Sequence, residues 1–300
     1  MENTSNDKTK KKYKKYPHEK GGQEDYLEKL HQKDPEILEK WRKEQDELKK
    51  KLIDVDDPSL TSLKYVGGVD ISFDKFDKKI GVSGLVVVDV ETLEIVYEDY
   101  EVIKLEEPYV PGFLAFREVK PLVRLIKKLK NNEPSLVPQV ILVDGNGIFH
   151  IREFGLASHL GVLADIPSIG CSKTVFALDG ITQKSVDEIS ETYLKKKDDS
   201  YSLKGKSGKE WGIALKTDNS TEPPMIISRG HKITNETALK IVKKVSKFRI
   251  PEPIRLADRI SRRLVFGRAD FLKKNPKKTW DLEQYFDEKY DDIHNNLEED

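Results

Sequence analysis

Three strand-like segments follow one another between residues 64 and 105, and they constrain the fold more than any other feature of the sequence. They are KYVGGVDISF, IGVSGLVVVDV and EIVYEDYEVIKL, each rich in β-branched or aromatic residues and separated by short polar turns. Strands joined by short turns pair in antiparallel fashion. The sequence therefore predicts an antiparallel meander that opens a sheet.

Helical and strand patterns alternate after this meander. Residues 113–130 and 149–165 have apolar side chains at helical spacing, whereas PQVILVDG at 138–145 and IPSIGCS at 166–172 are typical of short buried strands. Such alternation is typical of an α/β architecture with a central sheet and flanking helices.

The second half of the chain contains a polar excursion. Residues 195–224 carry glycine, serine and many charges, so we expect a surface insertion around a single strand, EWGIALKT. MIISRGH at 225–231 is expected to pair with that strand. Thr234 is expected to cap the next helix, and a last helix is predicted after RIPEPIR.

Composition excludes little about partners but narrows the compartment. The 53 basic and 53 acidic side chains cancel, so net charge neither predicts nor excludes a polyanionic partner. The one cysteine, Cys171, cannot form an internal disulfide and is expected to be a buried small side chain. No apolar stretch is typical of a signal peptide or a membrane span, so we expect a reducing compartment and no membrane partner.

Both ends of the chain are predicted to be tails. Residues 1–25 are lysine-rich and poor in hydrophobic side chains, which predicts a disordered basic tail. Such a tail can tether nucleic acid, direct nuclear import or be solvated disorder alone. Residues 276–300 are expected to form an acidic C-terminal tail.

Three carboxylates lie in apolar or glycine-rich surroundings. Asp70 interrupts the apolar GGVDIS, Glu118 closes PYVPGFLAFRE, and Asp144 ends the apolar VILVD before two closely spaced glycines. Converging buried acids are typical of a divalent cation site, and hard oxygen ligands favour Mg²⁺ or Mn²⁺. The alternative is structural: Asp144 caps the next helix, and Glu118 pairs with an arginine.

The two histidines of the 144–161 segment do not predict a metal site. His150 and His159 are nine residues apart, which on one helix puts them on opposite faces. We therefore expect each to be a hydrogen-bonding, phosphate-facing or structural residue.

Four segments, in order, carry a family resemblance. PYVPGFLAFRE (108–118), DGNGIFHIREFGLASHLG (144–161), IGCSKT (169–174) and FRIPEPIRLAD (248–258) closely resemble endonuclease V, the inosine-specific endonuclease family. The resemblance covers roughly residues 30–270, and the long 195–224 segment is similar to the eukaryotic branch. It implies an RNase H-like α/β fold, in which three antiparallel strands precede two parallel ones, for a domain over residues 26–275.

The resemblance also implies roles for individual residues. Asp70, Glu118 and Asp144 would bind Mg²⁺, with Mn²⁺ as a substitute. Asp258 would lie near the metal, and Lys173 near the scissile phosphate. Two further sets are implied: a base pocket of Gly112, Leu114, Gly145, Gly147, Leu156 and Gly170, and a wedge of Pro108, Tyr109, Val110 and Pro111. Glycine backbones would approach the extracted base and offer N–H groups to it, while Tyr109 stacks where the base was.

The implied reaction is hydrolysis of the second phosphodiester bond on the 3′ side of inosine, leaving 3′-hydroxyl and 5′-phosphate ends. The expected partner is single-stranded RNA containing inosine, with deoxyinosine-containing DNA as a second substrate. We expect a monomer in the cytoplasm, with the nucleus and nucleolus as further locations. Two alternatives are another RNase H-like DNA repair nuclease and a non-catalytic binder of inosine-containing RNA.

Overall fold

The computed structural model describes residues 35–74, 79–105, 107 and 110–274. The predicted tails 1–25 and 276–300 lie outside these residues. By its residue contacts the chain divides into residues 1–43, where the described part is the beginning of one helix, and residues 44–300, which hold the sheet.

The described residues contain eight strands and six helices. The strands are β1 (Tyr65–Phe73), β2 (Ile80–Asp89), β3 (Ile95–Lys104), β4 (Val140–Asp144), β5 (Ser168–Ser172), β6 (Ser200–Lys204), β7 (Glu210–Leu215) and β8 (Met225–His231). The helices are α1 (Pro35–Lys49), α2 (Leu114–Asn132), α3 (Leu156–Ala164), α4 (Gln183–Tyr193), α5 (Asn235–Lys244) and α6 (Glu252–Lys274). Two 3₁₀ turns, Pro58–Ser62 and Pro134–Leu136, complete the regular structure.

All eight strands form one mixed sheet in the order β3-β2-β1-β4-β5-β8-β7-β6. β1, β2 and β3 are antiparallel neighbours, as the meander predicts, and β4 and β5 continue the sheet in parallel with β1. The prediction of an RNase H-like mixed sheet flanked by helices is confirmed. The structure adds three antiparallel strands beyond β5.

Helices bury both faces of the sheet. One core contains Leu142, Ile169 and Ile227 of the sheet, with Ile254 and Leu264 of α6. A second core lies on the opposite face, beneath α2 and α3. Strands covered on both faces are continuous apolar runs, which is why VILVD in β4 has so little alternation.

The 195–224 segment extends the sheet: its predicted strand EWGIALKT forms β7, and the expectation that this is its single strand is wrong. β6 and β7 form an antiparallel hairpin at the sheet edge, and β7 pairs with β8 as predicted. Leu203 and Trp211 are buried in a third core with α4. The polar sequence around β6 hides this strand because only Leu203 points inward.

The helix predicted over residues 149–165 begins only at Leu156. Gly155 is its N-cap with extended backbone, and a side chain at Gly155 would overlap the backbone of Asn146. His150 therefore lies in the loop before α3, so its expected position on the same helix as His159 is wrong. Thr234 caps α5 as predicted, since its side chain accepts a hydrogen bond from Thr237 N.

None of the helices in the described residues combines the length and the apolar composition that a membrane crossing requires. Cys171 is fully buried, and burial raises the pKa of its thiol, as expected of a core side chain.

Candidate active site

Two aspartates lie side by side where neighbouring parallel strands reach one edge of the sheet. Val69 of β1 is paired with Val143 of β4. Asp70 and Asp144 come directly after this pair, so the parallel register brings them to the same level. The topology therefore brings together two acids that are far apart in sequence.

Glu118 joins them from α2, which packs against β1 and β2. Its side chain is buried. Burial, followed by the negative charge of Asp70, raises the pKa of Glu118 to about 8; the Arg117 charge opposes this rise, and Asp144 adds to it. Glu118 therefore lies in the electrostatic field of both aspartates.

Asp70 is the centre of this group of acids. Burial, followed by the charges of Asp144 and Asp258, raises its pKa to about 7. A hydrogen bond from Ser261 and the charge of Lys173 act in the opposite direction. Acids from β1, α2, β4 and α6 thus affect one another, which is the convergence that the sequence predicted.

α6 reaches the site because Gly68 lets it approach β1. A side chain at Gly68 would overlap the backbone of Pro253 and Ile254. One residue pair on this helix then faces the acids: Asp258, ion-paired with Arg262 at 2.6 Å, and Ser261 one turn later.

Ser261 was not predicted as a site residue. Its buried hydroxyl lies 3.2 Å from Asp70 Oδ2 and 3.2 Å from Asp258 O, and either oxygen can accept its proton. Ser72 Oγ lies 2.8 Å from Ser261 Oγ. The i, i+3 spacing from Asp258 is the one sequence signal that pointed to this position.

Lys173 lies directly against the acids. Its Nζ donates to Asp144 Oδ2 at 2.6 Å from the loop that follows β5. Asp144 therefore does not cap α3, whose N-cap is Gly155, and that structural alternative is wrong. The Lys173 ammonium partly neutralises a site that otherwise carries several negative charges.

The donor chemistry suits a hard divalent cation, although the acids are not arranged as a ready-made cage. Within the ranges that the structure describes, no three His, Cys, Asp or Glu side chains are positioned together as metal ligands. Lys173 holds Asp144, and Arg262 holds Asp258. Carboxyls with pKa values raised by burial, and then by mutual repulsion, are nevertheless groups that a cation would stabilise in their ionised form.

The six predicted pocket residues lie after the end of β4, in the middle of β5 and at the starts of α2 and α3. Gly112 has a left-handed backbone (φ +81°), which fits the turn before α2. Leu114 and Leu156 are the first residues of α2 and α3. A side chain at Gly145 would make ordinary contact with Leu156, 3.4 Å from its Cβ.

Two of the pocket glycines pack against backbone. A side chain at Gly170 would overlap Gly147 N, and one at Gly147 would overlap Arg229 O. The expectation that the glycine N–H groups face a base is wrong for Gly145, whose N–H donates to Cys171 O at 3.2 Å, and for Gly147, whose N–H donates to Ser228 Oγ at 2.9 Å.

The predicted wedge is described only in part. Pro108 and Tyr109 lie outside the described residues. Val110 is 2% exposed, so it anchors the loop in the core and does not face a nucleic acid, while Pro111 is half-buried. The stacking role of Tyr109 stays a prediction.

A clamp that the sequence did not predict holds the loop between Asp144 and α3. Glu153 has a left-handed backbone (φ +56°) and pairs with Lys49 of α1 at 3.1 Å and Lys209 of β6–β7 at 2.9 Å. Arg152 pairs with Asp46 at 2.5 Å. Two distant segments therefore fix the loop that leads from Asp144 to Leu156.

The family model described as Endonuclease V matches residues 46–259, a range that includes the whole group of acids. The chain belongs to the Endonuclease V family. Members of this family are nucleases, and the chain is therefore an endonuclease that binds nucleic acid.

Curated Endonuclease V proteins from mammals are similar over most of the chain. The Mus musculus protein is 43% identical over 236 residues, which are 77% of this chain and 70% of the mouse protein. The Homo sapiens protein is 43% identical over 233 residues, which are 76% of this chain and 83% of the human protein.

Solved Endonuclease V structures share the fold. The catalytic domain of human Endonuclease V is 40% identical with a TM-score of 0.75, covering 82% of this chain and 100% of that one. A Ciona intestinalis Endonuclease V is 37% identical with a TM-score of 0.73, covering 78% of this chain and 98% of that one. It was solved in complex with a 23mer DNA containing an inosine followed by a ribo-adenosine.

Proposed function

We propose that this endonuclease is metal-dependent and cleaves single-stranded RNA at inosine, hydrolysing the second phosphodiester bond on the 3′ side. The products would carry 3′-hydroxyl and 5′-phosphate ends, and deoxyinosine-containing DNA would be a second substrate. The observation that carries the proposal is the convergence of Asp70, Glu118, Asp144 and Asp258 in a chain of the Endonuclease V family.

Asp70, Glu118 and Asp144 would hold Mg²⁺, with Asp258 beside it and Mn²⁺ as a substitute. When bound, such ions activate water and stabilise the oxyanion leaving group of a phosphodiester. Carboxylate oxygens suit these hard ions, and the raised pKa values of Asp70 and Glu118 supply a reason for cation binding.

Lys173 and Ser261 would position and balance the acids. Lys173 Nζ contacts Asp144 from the sheet edge and can move its positive charge to a phosphate that enters beside this carboxylate. Ser261 would orient Asp70 through its contact with Oδ2.

Base selection would depend on the loops that flank α3. The first-turn N–H groups of a helix lack intrahelical partners, and Leu156 begins α3 next to the Gly145 backbone. An N–H aimed at O6 of hypoxanthine would favour inosine over adenosine, and a tight wall would exclude the amino group of guanine. Equal cleavage rates with guanosine in place of inosine would refute this selection.

Two features favour RNA as the main substrate. The β6–β7 hairpin falls in the segment that resembles the eukaryotic branch of the family, whose members prefer inosine in RNA. The Ciona intestinalis protein was solved with a 23mer DNA in which a ribo-adenosine follows the inosine, so the supporting feature is this one ribonucleotide. Unpaired bases are also less costly to extract than paired ones, which favours single strands.

A cleavage assay with mapped products tests the proposal. The wild-type chain and Asp70→Ala are incubated with matched RNA strands that contain inosine or adenosine at one position, with Mg²⁺ or EDTA. We expect cleavage by the wild type but not by Asp70→Ala, with Mg²⁺ but not with EDTA, and of the inosine strand but not of the adenosine strand. The cut is expected at the second phosphodiester bond on the 3′ side of inosine. Binding without cleavage would identify a non-catalytic reader of inosine, and cutting without regard to inosine would identify a different nuclease.

A further inference from the structure

Two exposed tyrosines stack against each other at the outer edge of the sheet. Tyr193 ends α4 and is 56% exposed, while Tyr201 lies on the edge strand β6 and is 36% exposed. Their ring centroids are 4.9 Å apart, with 29° between the ring planes. Leu194 and Leu203 beside them are buried in the core below. The pair is therefore held in place by its backbone, with aromatic surface left open to solvent.

The pairing register puts Tyr201 near the strand ends at which the acids lie, although β6 is the outermost strand and the acids follow interior strands. One row of paired residues crosses five strands: Asp144, Cys171, Ile227, Ile213 and Ser202. The next row toward the carboxyl end of β5 holds Ser172, Ile226, Ala214 and Tyr201, and its side chains point to the opposite face of the sheet from the Asp144 row. Lys173, which contacts Asp144, follows Ser172 directly. Four strand spacings separate β4 from β6, which is about 19 Å along the sheet.

Lysines outnumber acids around the tyrosines. Residues 183–209, which include all of α4, contain seven lysines and five acids. The Asp199 carboxylate already accepts hydrogen bonds from the backbone N–H groups of Lys195 and Lys196, at 2.8 and 2.9 Å. Lys196 and Lys204 are exposed on either side of Tyr201 in sequence. Aromatic rings flanked by lysines suit unpaired nucleotides, whose bases stack while their phosphates are neutralised.

We propose that Tyr193 and Tyr201 form a stacking platform for an unpaired base of the nucleic acid strand, four strand spacings along the sheet from Asp144. The inference rests on the proposed function, because it assigns the platform to the strand that is cut. A duplex would present no free base face to the rings, so the platform gives the enzyme a preference for single strands. Its contribution is to binding, and the chemical step depends on the acids.

Substrate length provides the test. Cleavage kinetics of wild type, Tyr193→Ala and Tyr201→Ala are measured on an inosine RNA that extends about 10 nucleotides to both sides, and on one trimmed to about two nucleotides on both sides. For the long strand we expect each alanine variant to raise KM about fivefold or more, with kcat within about twofold of wild type. For the trimmed strand, which does not reach the platform, we expect wild-type kinetics.

Matched variants separate stacking from folding. Tyr193→Phe and Tyr201→Phe keep the ring and are expected to retain wild-type KM on the long strand, and all variants are compared by melting temperature. Alanine variants that fold and leave KM unchanged on the long strand would overturn the platform, as would an equal loss on both strands. If the alanine variants do not fold, KM on the long strand is measured for the Phe variants and for Lys204→Ala. An unchanged KM in Lys204→Ala would count against a nucleic acid strand that passes the tyrosines.

A binding measurement keeps this inference distinct from the proposed function. Fluorescence anisotropy with a single-stranded RNA lacking inosine reports on the platform without cleavage. If Tyr201→Ala binds this RNA more weakly than wild type, and the wild type does not cut inosine RNA, the platform is retained and the proposed function is rejected. If Tyr201→Ala binds this RNA as tightly as wild type does, and the wild type cuts inosine RNA, the platform alone is rejected. If Tyr201→Ala weakens the binding of another protein but leaves the binding of RNA unchanged, the platform is also rejected.

Discussion

Burial and charge repulsion at Asp70 and Glu118 make stability depend on pH. Their pKa values are about 7 and about 8 in the folded chain, while such groups titrate near 4 when unfolded. Between these values the folded state holds protons that the unfolded state releases, so the free energy of unfolding falls as pH rises. Without divalent cations, we expect the melting temperature to fall between about pH 5 and about pH 8.

Glu118→Gln provides the control for this slope. The amide keeps the shape of the side chain and removes one titrating group, so we expect a flatter decline in EDTA. Melting followed by circular dichroism across this range measures both slopes. A wild-type melting temperature that is level or rises toward pH 8 would show that these carboxyls do not have raised pKa values.

Ser261 is predicted to position Asp70. Ser261→Ala removes the hydroxyl that lies 3.2 Å from Asp70 Oδ2, and outer partners of this kind typically affect activity by about 10-fold or more. We expect a lower kcat with little change in KM, and a higher Mg²⁺ concentration for half-maximal activity. Ser72→Ala, which loses only the contact with Ser261, is expected to have a smaller effect. Equal kcat values in wild type and Ser261→Ala would contradict a positioning role.

At the scale of elements, the close packing of β5 against the loop after β4 predicts a contrast between two glycines. Gly170→Ala puts a methyl group into the backbone at Gly147, which is expected to destabilise the chain by about 1–3 kcal/mol. Gly145→Ala meets only Leu156 at ordinary contact distance and is expected to change stability by about 0.5 kcal/mol or less. Urea unfolding of both variants measures the difference, and equal free energies of unfolding would contradict the packing.

The elements themselves were predictable to different degrees. β1 to β3 follow from β-branched runs and short turns, and β4 and β5 from short runs typical of buried strands. The parallel register of β1 and β4 then makes the meeting of Asp70 with Asp144 a consequence of topology. The start of α3 was not predictable from periodicity, because residues 149–155 keep helical spacing of apolar side chains. Backbone packing of Gly155 against Asn146 decides that boundary.

β6 and the clamp on Glu153 depend on contacts that local pattern does not contain. β6 has one buried side chain, Leu203, and gains its place by pairing with β7. Glu153 is held by lysines from two other segments, 104 and 56 residues away in sequence. Only Ser261 of the unpredicted site residues had a local signal, its spacing from Asp258.

For the whole molecule, divalent cations are expected to stabilise the folded chain by linkage. A ligand that binds only the folded state raises the melting temperature as its concentration exceeds the dissociation constant. We expect Mn²⁺ to raise the wild-type melting temperature by a few degrees, and Asp144→Ala to lose this shift and to be at least as stable as wild type in EDTA, since repulsion on Asp70 is relieved. An Mn²⁺ shift that is the same in both proteins would locate the binding elsewhere.

The most direct test is a crystal structure with Mn²⁺ and an inosine-containing RNA strand, with the cation located by anomalous scattering. We expect an anomalous peak bound by carboxylate oxygens of Asp70, Glu118 and Asp144, with the scissile phosphate beside it and Lys173 Nζ moved from Asp144 toward that phosphate. An Asp144 carboxylate that still holds Lys173, with no peak among the three acids while the strand is bound, would contradict it.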